Sequence, residues 1–233
     1  MEHCTDRLSE YIIANFFNLQ IKMEEITDAH FEQFIKEAHR IGDYKLTVCS
    51  SGNLSWRIGN KVMISGTSSW VPQLVREKIA VLDLEIGDSL NGVKSSMETG
   101  FHLGVLRNRP EMSVVLHVQS PFATTIACMP TRPKSYNVIA EAAAYPGSKI
   151  AEVPYLRPGS PQLAKAVIEA LTNHDAAQLV NHGQVFVGKD FDDALQKAVF
   201  FELACSIIVR SDFTANTMTE AEIEDLYHYI KGK

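Results

Sequence analysis

The sequence predicts an α/β domain. Stretches with apolar residues at helical spacing alternate along the chain with short runs rich in valine, isoleucine and leucine. The helix-like stretches open on recognisable start signals, Ser-Pro pairs or a Thr-x-x-Glu box. No repeat, low-complexity stretch or linker interrupts the 233 residues, so a single domain over 1–233 is expected, with a core at about 27–209 and a closing helix at about 219–231. Hydrophobic residues make up 45% of the chain, enough to bury a substantial core.

Taken in order, residues 27–40 place Phe31, Phe34, Ile35, Ala38 and Ile41 on one helical stripe, with Gly42 as a stop signal. A hairpin follows: 54–58, then Gly59-Asn60 as a tight turn, then 61–65. Residues 79–84 read as a strand and 98–107 as a helix ending before Pro110. Residues 112–119 form a strand rich in valine and leucine. Ser120-Pro121 then supplies the N-cap and first helical position of a helix to about Met129. Residues 150–156 read as a strand, and Ser160-Pro161 starts a helix through 163–171. Strands at 177–181 and 185–187 flank His182-Gly183, and a long helix covers 192–209. Thr219-Glu220-Ala221-Glu222 is a capping-box pattern for the last helix.

The net charge is -6, with acids and bases spread along the chain. This excludes a general nucleic-acid binder, which needs a basic face, but leaves room for a local phosphate pocket. The apolar stretch at 11–17 is short. No run approaches the roughly 20 residues that span a bilayer, so no membrane contact is expected. Cys4, Cys49, Cys128 and Cys205 form no CxxC pair and read as buried reduced thiols. With no secretory signal in view, the expected compartment is the cytoplasm.

Two groups of residues carry chemistry. His117 and Gln119 are two apart on a predicted strand and so share a face. His182 precedes a glycine at the end of another strand, and Glu98 opens a helix. Two imidazoles with one or two oxygen donors make a site for Zn²⁺ or a similar ion; ordinary hydrogen-bonded histidines are the competing reading. His102, four residues after Glu98, reads as a supporting or core histidine. Ser51-Gly52-Asn53 and residues 65–69 (Ser-Gly-Thr-Ser-Ser) can wrap an anion with exposed N–H groups, or can be plain turns.

Further motifs extend the pattern. They are Gly52-Asn53-Leu54-Ser55, the loop at 64–69, and Ser95-Ser96-Met97-Glu98 leading to His102. After these come Arg109-Pro110-Glu111, Val114-Val115-Leu116-His117, Ser120-Pro121 and Asn181-His182-Gly183. In order and spacing they resemble the class II aldolase/adducin family, which includes L-fuculose-1-phosphate aldolase and L-ribulose-5-phosphate 4-epimerase. The resemblance runs from about residue 27 to 209. It implies a three-layer α/β/α fold around a mainly antiparallel sheet, assembled as a homotetramer. It also implies a divalent ion, commonly zinc, held by three histidines, of which His117 matches the first and His182 the third. The family's phosphate site falls on Gly52, Asn53, Ser65, Thr67 and Ser96, and its acid/base carboxylate on Glu98.

By that resemblance the chain is a metal-dependent aldolase. It would cleave a small ketose phosphate by a retro-aldol step through an enediolate that the ion stabilises, with Glu98 moving the proton. In relatives a C-terminal tyrosine reaches the neighbouring subunit's site; Tyr227 and Tyr229 are the candidates here, and His228 joins Tyr229 for an epimerase route.

There are departures. Gln119 stands where the family has its second histidine, a neutral oxygen donor that weakens zinc relative to imidazole and admits manganese, cobalt or magnesium. Glu98 or Glu141 can complete the ligand set instead. Ser68 replaces a usual glycine and Met97 a usual serine. The alternatives are a 4-epimerase and a catalytically degenerate, adducin-like binding or structural module.

Overall fold

The computed structural model describes residues 25–146 and 150–232. Cys4 and the apolar stretch at 11–17 lie outside them. Among the described residues one sheet of seven strands runs β3-β2-β1-β4-β7-β6-β5. The strands are β1 (Asn53–Ile58), β2 (Lys61–Ser65), β3 (Ile79–Asp83), β4 (Val114–Val118), β5 (Ala151–Val153), β6 (Ala176–Leu179) and β7 (Gly183–Gly188). Every pairing is antiparallel except β5 with β6.

The pleat separates two cores. Along β4, Val114, Leu116 and Val118 enter one cluster and Val115 the other, as the period of two requires. The first cluster takes in α1 (Asp28–Asp43), α3 (Pro121–Ala127) and α6 (Phe191–Arg210). The second takes in α2 (Thr99–Asn108) and α5 (Pro161–Ala170). The short α4 (Ala140–Ala144) packs on α6, and α7 (Glu220–Lys231) packs on α4. The result is helices on both faces of a mostly antiparallel sheet, the α/β architecture the resemblance implied. No helix among the described residues is long and apolar enough to cross a membrane.

Most start signals act as read. Ser160 Oγ accepts the Leu163 amide at 3.1 Å, and Thr219 with Glu222 forms the capping box of α7. Gly59 turns the β1–β2 hairpin at φ 57°. Four expectations need correction. Gly42 is not a stop; α1 continues through Asp43, and a Cβ at Gly42 would stand 2.5 Å from Pro72 Cβ, so the glycine serves close packing. β4 ends at Val118, because the Gln119 amide leaves the ladder to donate to Leu46 O. β6 ends at Leu179 rather than 181 and β7 begins at Gly183 rather than 185, because the His182 amide turns back to Leu179 O and closes a tight turn. Cys49 and Cys128 are exposed rather than buried; Cys205 is buried.

Candidate metal centre and its cavity

Strand register builds the centre. Asn53 and His117 sit directly opposite each other on β1 and β4, near one end of the sheet. His117 shares the face of Val115, toward α2, and α2 begins just after Glu98. The β6–β7 turn brings His182 to the same end, with Asn181 in the left-handed region at φ 53°.

Glu98 and His117 are almost fully buried. Glu98 Oε2 lies 3.4 Å from His117 Nε2, and Oε1 lies 3.5 Å from His182 Nε2. The two imidazoles meet edge to face at 4.8 Å between centroids. The ligand atoms of all three residues fall within 4.8 Å of one another. His117 Nδ1 is 2.9 Å from Gln184 O. A carbonyl only accepts, so Nδ1 carries a hydrogen, and Nε2 is the nitrogen turned to the carboxylate, the one a metal would take. Glu98 Oε1 and His182 Nδ1 are buried with no hydrogen-bond partner. Burial, and then the neighbouring His117, push the His182 imidazole down to about 4, against the pull of Glu98. It is therefore neutral at pH 7, as a metal ligand must be.

Two imidazole nitrogens 3.4–3.5 Å from one carboxylate, with an orphaned buried oxygen among them, suit a divalent cation. Glu141, the other carboxylate considered, lies on α4 and is not in this cluster.

The cluster opens on a cavity of about 620 Å³. Gly52, Asn53, Thr67, Ser96, Gln119, Glu98 and both histidines line it. Ser65 does not: it is buried at the end of β2, where its Oγ accepts the Leu54 amide at 3.1 Å. Gln119 stands beside Gly183, close to the place a side chain there would take. Ser68 adopts φ 58°, the left-handed conformation that suits the glycine it replaces. Met97 is 68% exposed at the cavity rim. Tyr227 donates to Ala143 O at 2.8 Å, and Tyr229 is exposed on α7; neither lines this cavity.

Tyr155, Thr124 and Asn181 also line the cavity and were not among the expected site residues. Asn181 had a signal, its place beside His182-Gly183. Tyr155 was read inside a strand over 150–156; β5 ends at Val153, because Pro154 has no amide hydrogen to continue the ladder, and Tyr155 lies in the loop beyond it.

Comparison with known proteins gives consistent results. The family model described as Class II Aldolase and Adducin N-terminal domain matches residues 32–209. A 3-oxo-tetronate 4-phosphate decarboxylase of Haemophilus influenzae is 31% identical over 185 residues, covering 77% of this chain and 87% of that protein. An L-fuculose phosphate aldolase of Methanococcus maripaludis is 34% identical over 170 residues, covering 73% of this chain and 91% of that protein. The crystal structure of YgbL from Escherichia coli superposes with a TM-score of 0.77 at 26% identity, over 85% of this chain and 97% of that one. An L-fuculose 1-phosphate aldolase structure superposes at 0.79 with 20% identity, over 88% and 98%, a likeness of fold.

Proposed function

Since this chain belongs to the class II aldolase and adducin family, we propose that it is a metal-dependent aldolase that cleaves a carbon–carbon bond beside the carbonyl of a small ketose phosphate. The observation that carries the reading is the buried meeting of Glu98, His117 and His182, with Glu98 Oε1 unpartnered, at the floor of an open cavity. These three side chains would hold a divalent cation, zinc first and manganese, cobalt or magnesium as alternatives given Gln119, which would supply Lewis acidity at the substrate carbonyl.

The chain's own groups do the rest. The Gln184 carbonyl holds the His117 ring by its Nδ1–H. Asn53 Nδ2 holds Glu98 Oε2 at 2.9 Å; the carboxylate would complete the ligand set in the free protein, and with substrate oxygens in its place Oε1 is left to take or give a proton. The hydroxyl on the far carbon gives up its proton as its oxygen becomes the carbonyl of the departing aldehyde, and the bonding pair stays on the carbon next to the ketone; a proton delivered there by Glu98 completes a hydroxyketone phosphate. Gly52, Asn53, Thr67 and Ser96 wall the cavity with small polar groups and backbone, which suits a phosphate bound by neutral donors. Tyr227 and Tyr229 enter this reading as the groups that exchange the hydroxyl proton in a neighbouring subunit's cavity, within a cytoplasmic homotetramer.

Decarboxylation is the second reading, favoured by the 31% identity to the H. influenzae decarboxylase. It leaves an electron pair on the same kind of carbon and needs the same proton, so one cluster serves either reaction. The test is an assay of metal-replete protein with L-fuculose 1-phosphate and with 3-oxo-tetronate 4-phosphate. Dihydroxyacetone phosphate from the first supports the aldolase. Carbon dioxide from the second, without cleavage of the first, replaces it with the decarboxylase. Neither product, in protein that takes up no metal, leaves the adducin-like module.

A further inference from the structure

Ser55, His102, Asn53 and Glu98 are joined end to end across 45 to 49 residues of sequence. Asn53 Nδ2 donates to Glu98 Oε2, Asn53 Oδ1 meets His102 Nε2 in a short contact, and His102 Nδ1 lies 2.7 Å from Ser55 Oγ. All four residues are buried, Ser55 and His102 completely. Burial, then the neighbouring His117, hold the His102 imidazole well below its ordinary range, so it is neutral.

The hydrogens follow from the chemistry of the groups. The amide nitrogen of Asn53, which only donates, is the end that faces Glu98 Oε2. The amide oxygen then faces His102, whose Nε2 must carry the hydrogen. Its Nδ1 is left as an acceptor, and the Ser55 hydroxyl donates to it. The geometry points to His102 as a positioning residue for Glu98: by donating from Nε2 it locks the Asn53 amide, and the locked amide pins Oε2 so that Oε1 stays turned to His182. This rests on the reading of Glu98 as metal ligand and proton carrier. With His102 unable to donate, the Asn53 amide is free to turn its oxygen toward the carboxylate, acceptor against acceptor. Packing alone does not ask for a histidine. The ring stacks on Phe101 at 4.6 Å, and phenylalanine fills nearly the same space.

The test combines ¹⁵N NMR of histidine-labelled protein with cobalt titration of the intact chain and two variants. Wild type should show His102 as the neutral Nε2–H tautomer. His102→Phe should bind Co²⁺ about tenfold more weakly, the usual effect of losing an outer partner of a ligand. His102→Gln, whose amide can donate to Asn53, should recover to within about threefold of wild type. A bare Nε2 in the NMR spectrum overturns the proposal. So does equal cobalt affinity in His102→Phe and wild type, or equal loss in both variants. Should His102→Phe fail to fold, the tautomer and the His102→Gln affinity still decide. Should wild type bind no cobalt, the metal-centre reading fails, while the NMR assignment still decides the relay.

Discussion

Glu98 Oε1 lies 3.5 Å from His182 Nε2, and neither that oxygen nor the imidazole's Nδ1 has a hydrogen-bond partner among the described residues. A buried polar atom left unpaired costs about 1–3 kcal/mol. Two such atoms in one residue pair mark a place arranged for something other than the chain itself. The same carboxylate meets His117 through its second oxygen, so one side chain ties both histidines together.

Added zinc should therefore stabilise the protein. At a free concentration about 100 times its Kd, the gain is about 2.7 kcal/mol, visible as a raised Tm in calorimetry. His117→Ala or His182→Ala should erase the zinc-dependent part of that shift. A zinc-induced shift of unchanged size in both variants would place the ion elsewhere.

Gln119→His restores an imidazole beside Gly183 and the two histidines. Zinc affinity, measured by competition with a chromophoric chelator, should rise by about tenfold or more, because imidazole is the better zinc donor. An unchanged affinity would mean that the side chain at 119 does not reach the ion.

Gly52 holds φ 77°, and a Cβ there would stand 2.7 Å from the His117 carbonyl oxygen and 2.8 Å from Thr47 Cγ2. Gly52→Ala should lower stability by about 1–3 kcal/mol, from strain and overpacking together. It should also weaken metal binding, since the displaced carbonyl belongs to a ligand residue. Chemical denaturation and zinc titration of the one variant check both effects.

Asp175 joins Lys197 Nζ at 2.9 Å and Arg109 Nη2 at 2.9 Å, at the end of the sheet away from the cavity. Burial pushes its carboxyl up, but the Lys197 and Arg109 contacts outweigh this and hold it below the ordinary range. A folded-state pKa below the unfolded one adds stability above about pH 4, lost as pH falls through the depressed value. Asp175→Asn should thus be less stable than wild type at pH 7, by about 1–3 kcal/mol, with the gap closing below about pH 4. Urea unfolding across pH reads this directly; a gap independent of pH would assign the loss to packing.

Local signals were the legible ones. Gly59-Asn60 marked its hairpin, and Ser160-Pro161 and Thr219 marked helix starts, because caps and tight turns are made by neighbours in sequence. Strand order was not legible; that β4 lies between β1 and β7 follows from packing across the whole chain. The same gap appears in the site. His117, His182 and Glu98 could be named individually, but their common meeting point depends on the Asn53–His117 register and the β6–β7 turn. Ser65 was placed in the phosphate site by motif, whereas its position as the last residue of β2 turns its hydroxyl to a backbone amide. Spacing set His102 one turn from Glu98 and Ser55 two residues from Asn53, but that these two pairs meet across 45 to 49 residues follows from the fold alone.

In the proposed centre, His117, His182 and Glu98 hold one divalent cation at the cavity floor. Its most direct test is a zinc-edge anomalous difference map from crystals grown with zinc and phosphoglycolohydroxamate, an enediolate mimic. One strong peak is expected about 2.0–2.1 Å from both histidine Nε2 atoms, with the mimic's phosphate against Gly52 and Thr67. A peak bonded to other residues, or none at this centre in zinc-replete crystals, would contradict it.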